Sequence, residues 1–168
     1  MKKRIVLLTT LAAMLAAAMA LSGVAQAKPI ANSVDAKCAK LAIQTLGSSF
    51  NPGTYTFIGG TEGPNDFTGQ GTTEGNDVFC GFGGMDSIPY LDAGDIFLGG
   101  AGDDGVGQNS GTFYGEAGND FVSGNFGTFY GGAGNDHVNT NSPTGTFDGG
   151  DGTDSVSFND GGILISVP

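Results

Sequence analysis

Aspartate recurs in this chain on a fixed beat that any fold has to accommodate. Asp77, Asp86, Asp95 and Asp104 stand nine residues apart, Asp120 and Asp136 follow at steps of sixteen, and Asp154 at eighteen. Two residues after each anchor comes an apolar side chain: Phe79, Ile88, Phe97, Val106, Val122, Val138 and Val156. Glycines precede the anchors, as in Gly99-Gly100-Ala101-Gly102-Asp103-Asp104, Gly115-Glu116-Ala117-Gly118-Asn119-Asp120, Gly131-Gly132-Ala133-Gly134-Asn135-Asp136 and Gly149-Gly150-Asp151-Gly152-Thr153-Asp154. A short period sustained over so many copies marks a chain that coils and stacks on itself. Glycine makes up 32 of the 168 residues, which excludes a bundle of long helices, since each glycine inside a helix costs about 1 kcal/mol.

The beat also gives a phase. In a short strand the residue two after the anchor points inward and its neighbours outward. Two repeats then form one coil with two strands and two turns, and coils stack about 4.8 Å apart, the spacing of paired strands. One inner wall reads Ile88, Val106, Val122, Val138, Val156, and the facing wall reads Phe79, Phe97, Phe113, Phe129, Phe147. The expected fold is all-β, a right-handed parallel β-roll (a solenoid) over residues 57–168, with six-residue glycine turns and three-residue strands. The two edges differ. Anchors on the aliphatic side are Asp86, Asp104, Asp120, Asp136 and Asp154, whereas on the phenylalanine side Asp77 and Asp95 give way to Gly111, Gly127 and Gly145. The loops Gln108–Gly111 and Gly124–Gly127 are also shorter there. Acidic groups should therefore line one edge throughout and the other only near its start.

Charge sharpens this picture. The chain has 17 acidic residues against 6 basic ones, a balance that excludes nucleic acid, whose phosphates need a basic surface. Two carboxylates about 5 Å apart repel by roughly 3 kcal/mol at an effective dielectric of 20. A column of five rivals the ~5–15 kcal/mol that holds a domain together. The bland alternative makes these aspartates mere turn formers; the repulsion argues instead for a neutralising cation.

The glycine-aspartate frame resembles the haemolysin-type (RTX) calcium-binding nonapeptide, G-G-x-G-x-D-x-U-x, with U a large apolar residue. The copies beginning at Gly99, Gly131 and Gly149 match every fixed position. The copy at Gly115 has Glu116 for its second glycine, the copy at Gly81 has Phe82 there, and those around Asp77 and Asp95 are looser. The resemblance implies several Ca2+ ions between stacked turns, up to four on the long edge. It implies ligands from Asp77, Asp86, Asp95, Asp104, Asp120, Asp136 and Asp154. Turn carbonyls would come from Gly99, Gly100, Gly102, Gly115, Gly118, Gly131, Gly132, Gly134, Gly149, Gly150 and Gly152. Calcium takes six to eight oxygens in flexible geometry, whereas magnesium demands a tight octahedron; zinc lacks its usual nitrogen and sulfur set. Binding and folding are expected to be one event, with the repeat region disordered without calcium. RTX repeats are often appended to enzymes, but this chain has no H-E-x-x-H and no G-x-S-x-G, so a non-enzymatic role is expected.

The flanks complete the reading. Residues 1–27 have a Lys2-Lys3-Arg4 start, an apolar Ile5-to-Leu21 run and an Ala25-Gln26-Ala27 site, the layout of a secretory signal peptide. The mature chain would keep three lysines against all 17 acids, a net charge of −14, and meet calcium outside the cell. No later segment is long and apolar enough to span a bilayer. Residues 28–56 form the lead-in. A helix over Val34–Leu46, capped at Asn32 or Ser33 and stopped at Gly47, should act as a lid over one end. Cys38 and Cys80, the two cysteines, are expected to bridge in an oxidising compartment, with two buried free thiols as the alternative. Val156-Ser157-Phe158 and Ile163-Leu164-Ile165 read as a closing strand that caps the roll. His137 reads as a surface residue without partner or pocket. Thr112-Phe113-Tyr114, Thr128-Phe129-Tyr130 and Thr146-Phe147-Asp148 give an outer Thr/Tyr strip. It is ordinary β surface, a contact face for an unidentified protein or surface partner, or an ice-binding strip.

Overall fold

The computed structural model describes residues 34–70 and 76–168. The leader over 1–27 and the candidate caps Asn32 and Ser33 lie outside the described residues. The chain opens with α1 (Val34–Leu46), followed by a 3-10 turn (Pro52–Thr54). The strands are β1 (Tyr55–Gly59), β2 (Asn76–Gly83), β3 (Ser87–Leu91), β4 (Ile96–Ala101), β5 (Gly105–Asn109) and β6 (Thr112–Ala117). They continue with β7 (Phe121–Asn125), β8 (Thr128–Ala133), β9 (His137–Asn141), β10 (Thr146–Asp151), β11 (Ser155–Asn159) and β12 (Ile163–Ile165).

Strands alternate between two parallel sheets, ordered β1-β2-β4-β6-β8-β10-β12 and β11-β9-β7-β5-β3, the signature of a β-solenoid of about six coils. The register is the one the beat requires. Phe79, Phe97, Phe113, Phe129 and Phe147 are matched along one sheet, and Ile88, Val106, Val122, Val138 and Val156 along the other. Both walls meet in one core. The rings of Phe97, Phe113, Phe129 and Phe147 stack with centroids 4.8–5.0 Å apart and planes within 10° of parallel. That is the strand spacing, so each coil hands its ring to the next.

Three expectations need correction. The strands are five to eight residues long through most of the roll, not three. The first two glycines of each copy stay in the sheet, and only Gly102–Asp104 turns between β4 and β5. Backbone pairing continues past the inward residue because parallel neighbours at the same register satisfy each other's amides. Second, α1 is no lid over an end. It packs on β1 and β2, and its buried Cys38 and Ala42 share one cluster with Phe57 of β1 and with Val78, Cys80, Ile96 and Leu98, outward-facing residues of β2 and β4. It therefore flanks the outer face of the first coils, with Lys37, Lys40 and Gln44 exposed. Third, β11 and β12 form at the far end, where Val156 and Val167 pack against the core, but leave outward apolar side chains in solvent: Phe158 is 59% exposed and Ile163 59%. Gly47 does end the helix, in the left-handed region at φ 82°. The Cys38–Cys80 disulfide is present, with Cα atoms 5.5 Å apart, and ties α1 to β2.

Candidate functional site

Each turn after an even-numbered strand of the longer sheet delivers one aspartate to the same edge, and the five form a buried column. Asp86, Asp104, Asp120, Asp136 and Asp154 are 0–3% exposed. Within the column one carboxylate oxygen serves the backbone. The amide of Asp86 donates to Asp104 Oδ1 at 2.8 Å, that of Asp104 to Asp120 at 2.7 Å, that of Asp120 to Asp136 at 2.8 Å and that of Asp136 to Asp154 at 2.9 Å. The other oxygen, Oδ2, is buried without a hydrogen-bond partner among the described residues in all five. A buried unpaired acceptor is costly, more so when charged.

The glycines explain how the carboxylates fit. A β-carbon built on Gly131 would lie 2.1 Å from Asp136 Oδ2 and 2.5 Å from the carbonyl oxygen of Gly149 in the next coil. Gly81, Gly99 and Gly115 stand in the same relation to Asp86, Asp104 and Asp120 and to the carbonyls of Gly99, Gly115 and Gly131. Gly149 faces Asp154 in the last such turn. In this way the bare glycine face lets an unpartnered carboxylate oxygen and a carbonyl oxygen crowd together between successive coils. Gly102, Gly118, Gly134 and Gly152 take positive φ and stack so closely that a β-carbon on Gly134 would overlap the Gly118 carbonyl. Gly100, Gly132 and Gly150 also have positive φ.

Burial pushes the Asp104 carboxyl up to about 7, Asp120 to about 8 and Asp136 to about 6, from an ordinary 3.8. The donating amides oppose these shifts, and neighbouring carboxylates add to them. Burial raises Asp86 as well. All the oxygens offered are hard donors, so the column fits calcium in chemistry. Among the described residues no three Asp, Glu, His or Cys side chains converge as a ready-made metal site. The acids arrive singly, one per coil, so the remaining oxygens for an ion would come from backbone carbonyls.

The opposite edge follows the expected asymmetry. Asp77 and Asp95 are buried, and the Asp77 amide donates to Asp95 Oδ1 at 2.9 Å. Beyond them the edge changes chemistry in a way that sequence reasoning missed. Asn109, Asn125 and Asn141 are each 0% exposed and form a side-chain ladder. Asn109 Nδ2 donates to Asn125 Oδ1, and Asn125 Nδ2 to Asn141 Oδ1, both at 2.8 Å, and Asn141 Nδ2 reaches Asn159 at 3.2 Å. The ladder starts at Asn109 because its neighbour in the preceding coil is Leu91. A neutral amide both donates and accepts, so it stacks without a counterion.

An additional coil was also missed. Asn65 takes the anchor position ahead of Asp86: its backbone N and its Nδ2 both donate to Asp86 Oδ1 at 2.7 Å. Phe67, two residues on, enters the phenylalanine core at 2% exposure. The signal was Gly60-Thr61-Glu62-Gly63-Pro64-Asn65-Asp66-Phe67, the same frame with Thr61 for the second glycine and Asn65 for the aspartate. His137, expected to be partnerless, sits between two hydroxyls. Its Nδ1 is 2.8 Å from Ser155 Oγ and its Nε2 3.0 Å from Ser157 Oγ, and it stacks on Phe121. The ring is half-buried on the outer face of the sheet, and among the described residues its side-chain hydrogen bonds go to hydroxyls and not to an acid. Among the described residues no helix is long and apolar enough to cross a membrane. Comparison of the chain with protein-family models, curated proteins and solved structures finds no significant match.

Proposed function

We propose that this chain is a secreted, non-enzymatic calcium-binding protein of the RTX kind, a right-handed β-roll that folds when calcium enters the aspartate edge. One observation carries the reading: five buried carboxylates in register, each with an oxygen that no group among the described residues satisfies. Calcium, when bound, would neutralise the column and complete the coordination of those oxygens. Asp86, Asp104, Asp120, Asp136 and Asp154 would hold it together with the carbonyls of Gly99, Gly115, Gly131 and Gly149. That gives up to four ions between coils. Asp77 and Asp95 offer one further interval on the other edge. The chain's own part is to bring the acids into line, exclude water with the two apolar walls, and keep the glycine faces open. Affinity per site is expected at about 10⁻⁴–10⁻³ M, the range of extracellular modules.

Circular dichroism checks this. At pH 8 with excess chelator the β spectrum should collapse, and millimolar CaCl2 should restore it. A spectrum indifferent to chelator would refute the proposal. A second reading, a contact face for a partner, draws support from Tyr114 and Tyr130, whose rings stack 4.9 Å apart on the outer face with Thr112, Thr128 and Thr146 in register beside them. Loss of a captured partner on changing Tyr130 to Ala, with the fold intact, would support it.

A further inference from the structure

Glu116 breaks the repeat where the repeat is least forgiving. It pairs with Gly100 in the coil before and Gly132 in the coil after. Like them it lies in the left-handed region, at φ 73° against 104° and 107°. A side chain there is strained. Phe82 occupies the same row at φ 71°, but it packs against the apolar cluster under α1, which offsets the strain. Glu116 has no such offset: its Oε1 is buried and has no hydrogen-bond partner among the described residues.

Its surroundings make the choice of residue stranger still. The residue beside Glu116, Gly115, faces Asp120 Oδ2, and Gly99, beside the partner Gly100 in the coil before, faces Asp104 Oδ2. Asp104 and Asp120, on the two sides of the interval, are 2% and 1% exposed and each presents an unpartnered Oδ2. A negative group has thus been added, against backbone preference, to a place that already holds two unpartnered carboxylate oxygens. A misplaced residue would relax toward water; one that is held in by a cation would not.

We propose that Glu116 is a third side-chain ligand for the cation between the Asp104 and Asp120 turns, and that this interval is the tightest of the row. The inference rests on the calcium reading above. Affinity in oxygen-ligand sites rises with the number of charged ligands, and here the other intervals between coils draw on aspartates without such a neighbour. This interval lies in the middle of the column, so the first ion bound would order coils on both sides of it.

Calorimetric titration of CaCl2 into the intact, disulfide-bonded chain decides the matter. Wild type should take up calcium in two phases, the first roughly tenfold tighter than the rest. Glu116→Gln keeps the size and removes the charge, and should abolish the tight phase while leaving the weaker one. Glu116→Gly restores the repeat and relieves the backbone. It should raise the melting temperature in chelator and still lose the tight phase. Calcium uptake by Glu116→Gln identical to that of wild type overturns the proposal and leaves the calcium roll standing. So does a Glu116→Gly variant stabilised equally with and without calcium, its tight phase retained. Absence of calcium uptake by the wild type overturns both.

Discussion

Gly131 carries no side chain because Asp136 and the Gly149 carbonyl already occupy the space one would need. Gly131→Ala should therefore lower stability in calcium by about 3 kcal/mol, the upper end for overpacking a tight interior, as read from denaturant midpoints. The residue's importance was legible, because the repeat puts glycine there in every copy that matches it fully. The Asn ladder was not. Asparagine in a short loop reads as a turn former, and only the fold shows Asn125 buried, accepting from Asn109 and donating to Asn141 and to the Thr146 carbonyl. Asn125→Ala strands partners on both sides and should cost about 2–3 kcal/mol by the same measurement. The sixteen-residue spacing of Asn109, Asn125 and Asn141 was visible, but spacing does not say which of two polar roles an amide plays.

Among the elements, α1 and its disulfide decide how the first coils are held. The bridge links residues 42 apart in sequence, and closing a loop of that size contributes roughly 4 kcal/mol in the chain-entropy account. A Cys38→Ser, Cys80→Ser double variant should lose about that much, with the helical part of the spectrum melting ahead of the β part. The limits and apolar face of α1 followed from periodicity and from Gly47. Periodicity reports which side of a helix is apolar, however, and not which surface receives it. That is why the helix was expected over an end and is found on a flank, where Val78, Cys80, Ile96 and Leu98 leave β2 and β4 with an apolar outer face. The coil anchored by Asn65 was overlooked for a different reason: Asn replaces the anchor aspartate and Thr61 the second glycine, so only Gly60, Gly63 and Phe67 keep the frame, while in the fold the register runs unbroken onto the next coil.

For the molecule as a whole, the column makes folding depend on protons and calcium together. The folded carboxyls of Asp136, Asp104 and Asp120 titrate near 6, 7 and 8, against an ordinary 3.8. Between these limits the folded state binds protons that the unfolded chain has released, so ion-free stability is fully present below about pH 4 and falls as pH rises through that window. Chelated protein should hold more β structure at pH 5 than at pH 9, and calcium should reverse the order, with protons released on binding; dichroism across pH with and without chelator reads both. The sequence by itself determined the roll, its two walls and its acidic edge, because a strand alternates inside and outside and a repeat in phase must stack like on like. Only the tertiary structure decided where α1 rests, that the second edge is closed by amides, and that one oxygen of every column aspartate is left without a partner among the described residues. Those outcomes depend on what a neighbouring coil or element presents at the same height, and a linear spacing carries no record of it.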